Sequence, residues 1–140
     1  MHLALTGDPT EMRVSWKTRA PGCASRVSYG AADALSADPP PDEAALLQHD
    51  GAVSSYGAHD MCAAPAREAS VGPLYLHSVV LTGLAPGARY GYKLPHRGGR
   101  SGGAAEFRAP PRPGPRHGRL SFIVYGDMGD GGHRAAKSPG

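Results

Sequence analysis

The sequence predicts a mainly β chain. Residues 1–109 read as an antiparallel two-sheet sandwich, and residues 119–140 as the opening of an α/β domain. Three observations carry this. Short segments alternate apolar and polar residues with a period of two, and Gly/Pro-rich turns separate them. A tyrosine, Tyr90, opens a strand just after a Pro-Gly turn. Beyond a proline-rich stretch the alternation gives way to a continuous apolar run, "LSFIVYGDMG" (120–129). A strand apolar on both faces belongs in a buried sheet, commonly parallel with helices outside.

At the start of the chain, "HLALTG" (2–7) is a short apolar strand with a turn after it at Asp8-Pro9. "EMRVSWKT" (11–18) puts Met12, Val14 and Trp16 on one face and Arg13, Ser15 and Lys17 on the other, the pattern of a strand with one buried side. "SRVSYG" (25–30) repeats it with Val27 and Tyr29. Residues 31–51 carry less signal; in "DPPPDEAALLQ", proline followed by Asp42-Glu43 suits a helix start or an irregular insertion. "AVSSYGAHDMCAAPA" (52–66) reads as a short strand, then a loop or single helical turn around Met61.

"LYLHSVVL" (74–81) is apolar on both faces and is expected to be covered on both. In "LAPGARYGYKL" (84–94), Tyr90, Tyr92 and Leu94 alternate inward after the turn. A tyrosine so placed, bonding back to the preceding corner, is the tyrosine-corner device of immunoglobulin-like sandwiches. "RGGRSGG" is a loop and "AAEFRA" (104–109) a last strand. About seven short strands result, as such a sandwich needs. Trp16, Tyr90 and Tyr92 are its expected core.

"PPRPGPRHG" (110–118) reads as an interdomain linker, because its prolines favour extended, semi-rigid geometry. After it, Asp127 comes at the end of a strand, between Gly126 and Gly129, which allow a tight turn and close approach to a ligand. In open α/β sheets ligands bind beyond the carboxyl ends of strands. A carboxylate there suits a hard cation, but serves equally as a turn residue or helix cap.

Composition excludes several classes. The net charge is +3, unevenly spread. Over 1–88 five basic residues face nine acids, whereas 89–119 hold eight basic residues against Glu106 alone. That block reads as a solvated linker region. It lacks interleaved aromatics to stack bases, so no nucleic-acid partner is expected. No apolar run reaches membrane-spanning length, and no secretory signal stands at the start. Cys23 and Cys62 permit one disulfide but lack metal-site spacing. His77 lies within a strand and reads as a packed histidine. His2, His49, His59, His96 and His117 fall in loops or at a terminus, and only His133 lies near Asp127.

In order along the chain, "MRVSWKT", "VSYG", "DMCAAPA", "LYLHSVVLTGLAPGARYGYKL", "FRAPPRPGP" and "LSFIVYGDMGDGGHRAAKSPG" resemble the plant and algal purple acid phosphatases. The resemblance implies a fibronectin type III-like domain over 1–109, a linker over 110–118, and the truncated start of a calcineurin-like metallophosphoesterase domain over 119–140. It implies hydrolysis of phosphate monoesters at a binuclear centre of Fe(III) plus a second divalent metal: iron, zinc or manganese. It places Asp127, in Asp127-Met128-Gly129, among the ferric ligands. It further implies a secreted, extracellular or vacuolar protein and a homodimer.

The remaining ligand motifs of that family, a second Gly-Asp-x-x-Tyr, Gly-Asn-His and Gly-His-x-His among them, do not occur in these residues. Asp130, His133 and Tyr125 match no ligand, no substrate-binding residue carries over, and one carboxylate cannot hold two metals. The expectation is a fragment of such an enzyme, inactive alone. The competing class is a fibronectin-like binding module without catalysis.

Overall fold

Alternation along the chain becomes two packed sheets because each strand has one face to bury. A computed structural model describes residues 1–39, 41–65, 67–68, 72–94, 104–114 and 123–124. Its strands are β1 (His2–Ala4), β2 (Met12–Thr18), β3 (Arg26–Ala31), β4 (Leu47–Asp50), β5 (Ala52–Tyr56), β6 (Leu74–Leu81), β7 (Arg89–Lys93) and β8 (Ala105–Arg108), with a short helix α1 (Ala32–Leu35). One sheet has the order β1-β2-β6-β5, the other β4-β3-β7-β8. Every neighbouring pair is antiparallel. In immunoglobulin terms these are the ABED sheet and a CFG sheet with one strand added beside C. No helix among the described residues is long and apolar enough to cross a membrane.

Register brings the inward residues together. Met12, Val14 and Trp16 of β2 stand opposite Leu81, Val79 and His77 of β6, and all six are buried. Across the sandwich they meet Val27 and Tyr29 of β3, Tyr92 of β7 and Phe107 of β8. Tyr90 and Leu94 pack partly buried against this core. The anchors expected from the sequence, Trp16, Tyr90 and Tyr92, therefore sit where the alternation puts them.

Glycine admits two close approaches. Gly51 lies where the chain passes from β4 to β5, between the sheets. A Cβ there would stand 2.0 Å from the carbonyl oxygen of Ser78. Gly30 and Gly91 face each other across β3 and β7. Without side chains they leave a notch that the buried Leu35 of α1 fills, its atoms 3.1–3.2 Å from where either Cβ would be.

Four details differ from the sequence expectation. There are eight strands rather than seven: the region with the weakest signal holds β4, and the stretch after Asp42 forms only one 3-10 turn, Glu43–Ala45. β6 is central in its sheet, yet its outer face is not covered. Leu76 is 42% exposed, and Leu74 and Val80 are half-buried, because only lateral neighbours flank that face. His2 and His49 lie in β1 and β4 rather than in loops. Cys23 and Cys62 are unpaired. The α/β opening expected over 119–140 falls almost wholly outside the described residues. Ile123 and Val124 alone are described there, in no strand and 87% and 82% exposed.

Two substitutions test this packing. Trp16→Ala is expected to cost roughly 3–5 kcal/mol in denaturant melts, and a loss below about 1 kcal/mol would contradict its core position. Gly51→Ala, which drives a methyl into the Ser78 carbonyl, is expected to cost about 1–3 kcal/mol or more.

Candidate functional site

The described residues are most highly organised where the chain leaves the sandwich. The turn between β6 and β7 would expose its backbone groups unless something bonded them. The Tyr90 hydroxyl accepts the Ala85 N–H at 2.9 Å, which is the tyrosine corner. The Leu84 N–H donates to the Thr10 carbonyl at 2.9 Å, tying this turn to the one between β1 and β2. Thr10 is held by Asp8, whose carboxylate accepts its N–H at 2.7 Å and its hydroxyl at 2.6 Å. Those bonds favour the charged form, so the Asp8 carboxyl lies below its ordinary range. From the other sheet, the buried Tyr29 donates its hydroxyl to the Thr82 carbonyl at 2.9 Å. Burial, first, and the neighbouring Tyr90 push the Tyr29 phenol up.

β8 exits through this corner. The Ala109 N–H donates to the Ala88 carbonyl at 2.8 Å. The Gly87 N–H is shared between the carbonyls of Ala109 and Pro110, at 3.2 and 3.1 Å. Arg108 reaches back to the Gly87 carbonyl at 3.2 Å. Ala109 is 1% exposed, so the chain is fixed through its last residue before the prolines. Pro110, Pro111 and Pro113 then line a cleft of about 90 Å³ with Leu5, Asp8 and Pro9 of the β1–β2 turn. Sequence reasoning found the tyrosine but not the shared Gly87 bond, for which the sequence carries no signal beyond the Pro-Gly pair.

The opposite end is closed by His77. It is 2% exposed and stacks on Trp16 with ring centroids 4.9 Å apart. Its Nε2 lies 3.0 Å from the Thr18 hydroxyl and its Nδ1 2.8 Å from the Ser25 hydroxyl. Thr18 donates onward to the Ala20 carbonyl, so Nε2–H donates to Thr18 and the Ser25 hydroxyl donates to Nδ1. Both ring nitrogens are satisfied by hydroxyls, with no carboxylate to favour the cation. Burial pushes the imidazole below its ordinary value. This is the packed histidine that the strand pattern implied. His49, to which sequence reasoning assigned nothing, links the sheets: its Nδ1–H donates to the Val80 carbonyl at 3.0 Å, and its ring stands edge-on to Tyr29.

A groove of about 490 Å³ lies on the β1-β2-β6-β5 sheet, lined among others by Ser15, Lys17, Ala52, Ser54, Leu76 and Ser78. Arg13 donates to the Ser78 hydroxyl nearby. The groove offers hydroxyls and cations but no paired acid and base.

Asp127, the expected metal ligand, lies outside the described residues, as do Asp130 and His133. Among the described residues no three His, Cys, Asp or Glu side chains gather to hold a metal. With Asp127 the one carboxylate matched to a ligand motif, the donor set of this chain does not fit a binuclear centre.

An immunoglobulin-type sandwich whose last strand is locked before a proline-rich exit defines a class: a β-sandwich module that hands the chain, at a fixed point, to its next segment. The family model described as the N-terminal domain of purple acid phosphatase matches residues 1–109, and the chain belongs to that family. Among solved structures it is similar to purple acid phosphatase PPD1, isolated from seeds of yellow lupin (Lupinus luteus). The two share 29% identity with a TM-score of 0.58, over 79% of this chain and 19% of that one. The chain thus spans less than a fifth of the lupin chain's length. No curated protein matches it.

Two measurements probe the two ends. Tyr90→Phe is expected to cost about 0.5–1.5 kcal/mol, the net value of one hydrogen bond, with faster amide exchange at Ala85. For His77 the folded pKa lies below the ordinary value of 6.5, so the unfolded chain binds more protons near that pH. Stability is full above 6.5 and falls as pH drops from there toward the folded pKa. Melting temperatures should decline over that window in the wild type and less steeply in His77→Gln.

Proposed function

We propose that this chain is the N-terminal sandwich, together with the first metal-ligand strand, of a metal-dependent hydrolase of phosphate monoesters. The observation that carries this is the family match over 1–109 with Gly126-Asp127-Met128-Gly129 standing in the same chain, just past the proline-rich exit. In this reading Asp127 supplies one ligand to a ferric ion of a binuclear centre, whose second metal is iron, zinc or manganese. The metals, when bound, activate a hydroxide and neutralise phosphate charge. The part of the sandwich is to fix Ala109 and Pro110, and so the starting point of the segment that carries Asp127. A secreted or vacuolar setting belongs to the same proposal.

Chemistry needs more than this chain supplies. A two-metal site takes several carboxylate and imidazole ligands plus donors aimed at the transferring phosphoryl group. Asp127 alone is matched to a ligand motif, so the 140-residue chain is proposed to be inactive by itself. A chromogenic phosphate ester assay of the purified chain with added iron and zinc is expected to give no turnover above the blank. Turnover abolished by Asp127→Ala would overturn the proposed inactivity. For the enzyme assignment, the transcript downstream of Gly140 is expected to continue in frame into a second Gly-Asp-x-x-Tyr and a Gly-Asn-His; a stop codon there would favour a non-catalytic module.

A further inference from the structure

Open sheet edges present unpaired N–H and C=O groups, and proteins blunt them with charge, proline or brevity. Among the described residues four strands stand at edges: β1 and β5 in one sheet, β4 and β8 in the other. β1 has three residues. β8 carries Glu106 and Arg108, and Glu106 pairs with Arg89. β4 ends on Asp50, which takes a two-pronged bond from Arg26 at 2.7 and 2.9 Å. β5 has none of these devices. Its five residues, Ala52-Val53-Ser54-Ser55-Tyr56, include no charge and no proline.

The side chains of β5 also leave core surface open. Val53 stands opposite the buried His77, on the core-facing side of the sheet, yet it is 55% exposed. Leu47 of β4, which joins β5 through Gly51, stands opposite the buried Tyr29 and is 60% exposed. Unpaired backbone and exposed inward-facing apolar side chains thus coincide on one strand and its chain neighbour.

We propose that β5 is a strand-addition edge whose occupant is β5 of a second copy of this chain, paired antiparallel about a two-fold axis through Ser54. Directly opposed residues share a face, and this is the one two-fold register that pairs all five residues. It sets Val53 beside Ser55 of the second copy on the core side, covering the exposed valine. On the outer side it sets the large Tyr56 against the small Ala52, twice. A self-pairing strand places every charge opposite a charge of the same sign at or near the axis, which is destabilising; β5 carries none, so it is compatible with itself where β4 and β8 are not. An isologous contact of this kind closes on two copies. It uses no residue beyond 109 and does not depend on the phosphatase reading.

Sedimentation of the full chain across a hundredfold concentration range tests this. The expected result is a reversible monomer–dimer equilibrium. Ser54 is exposed, so Ser54→Lys should keep the monomer's melting temperature while opposing two lysines across the axis, weakening the dimer at least about tenfold. In a Cys23→Ser/Cys62→Ser background, Ser54→Cys should crosslink two chains under mild oxidation. Opposed antiparallel residues lie about 4.5–5.5 Å apart at Cα, within the span of a disulfide. A chain that stays monomeric throughout, a dimer indifferent to Ser54→Lys, or a dimer that Ser54→Cys fails to crosslink would each overturn the proposal. So would a monomer that takes up an unrelated extended peptide along β5.

Discussion

The bond from the Ala85 N–H to the Tyr90 hydroxyl fixes the turn on which the exit of the chain depends. It links two residues five apart, so it closes a small loop at little entropic cost. Once Ala85 is held, Leu84 is in place to fill the core and to donate its N–H to Thr10, which joins the turn to the β1–β2 end of the same sheet. Gly87 is then presented to the carbonyls of Ala109 and Pro110. A side chain on β7 thereby determines where β8 stops and in which direction the prolines leave. Tyr29 adds a second constraint from the opposite sheet by bonding Thr82, so both layers grip one turn.

The polar groups inside the sandwich obey one logic. No buried side-chain nitrogen or oxygen among the described residues lacks a hydrogen-bond partner. An unpaired polar group there would cost about 1–3 kcal/mol, and each buried ring spends its polar atoms on joining segments that apolar contact alone would leave free to slide. Tyr29 and His49 span from the second sheet to Thr82 and Val80 on the first. His77 spans from the first sheet to Ser25, just before β3. Apolar packing sets the distance between the layers, and these bonds set their register.

Much of the fold was legible because a period of two is a strong signal where one face is buried. β2 and β7 show it: their alternation named Trp16, Tyr90 and Tyr92 as core, and the tyrosine corner could be read from Pro86-Gly87 and Tyr90 alone. β4 was not legible. Leu46 and Leu47 are adjacent leucines of which one is buried and the other exposed, so the four residues Leu47–Asp50 carry no clear alternation. The outer face of β6 misled for the converse reason. Leu74, Leu76 and Val80 read as buried, whereas lateral neighbours cover them only in part. As for the metal ligand, Asp127 was marked by its place in a motif after an apolar strand. Residue type and spacing convey that; the other ligands a metal needs come from elsewhere in a fold, and local pattern cannot supply them.

Holding and reacting are separated along this chain. The sandwich satisfies its polar groups within itself and spends them on structure: His77 and His49 are bound to hydroxyls and a carbonyl, and Asp50 and Glu106 to arginines. A histidine or carboxylate so engaged is not free to ligate a metal without breaking the contact that places it. The residues that hold the fold are therefore poor candidates for chemistry. The Gly-Asp turn has the opposite character, glycines on either side of a carboxylate and an apolar strand before it. Strand and turn of that kind depend on a neighbouring sheet for cover and on further ligands for function. A module that fixes the point where such a segment begins contributes to catalysis by placement, which needs rigidity at Ala109 and no reactive group of its own.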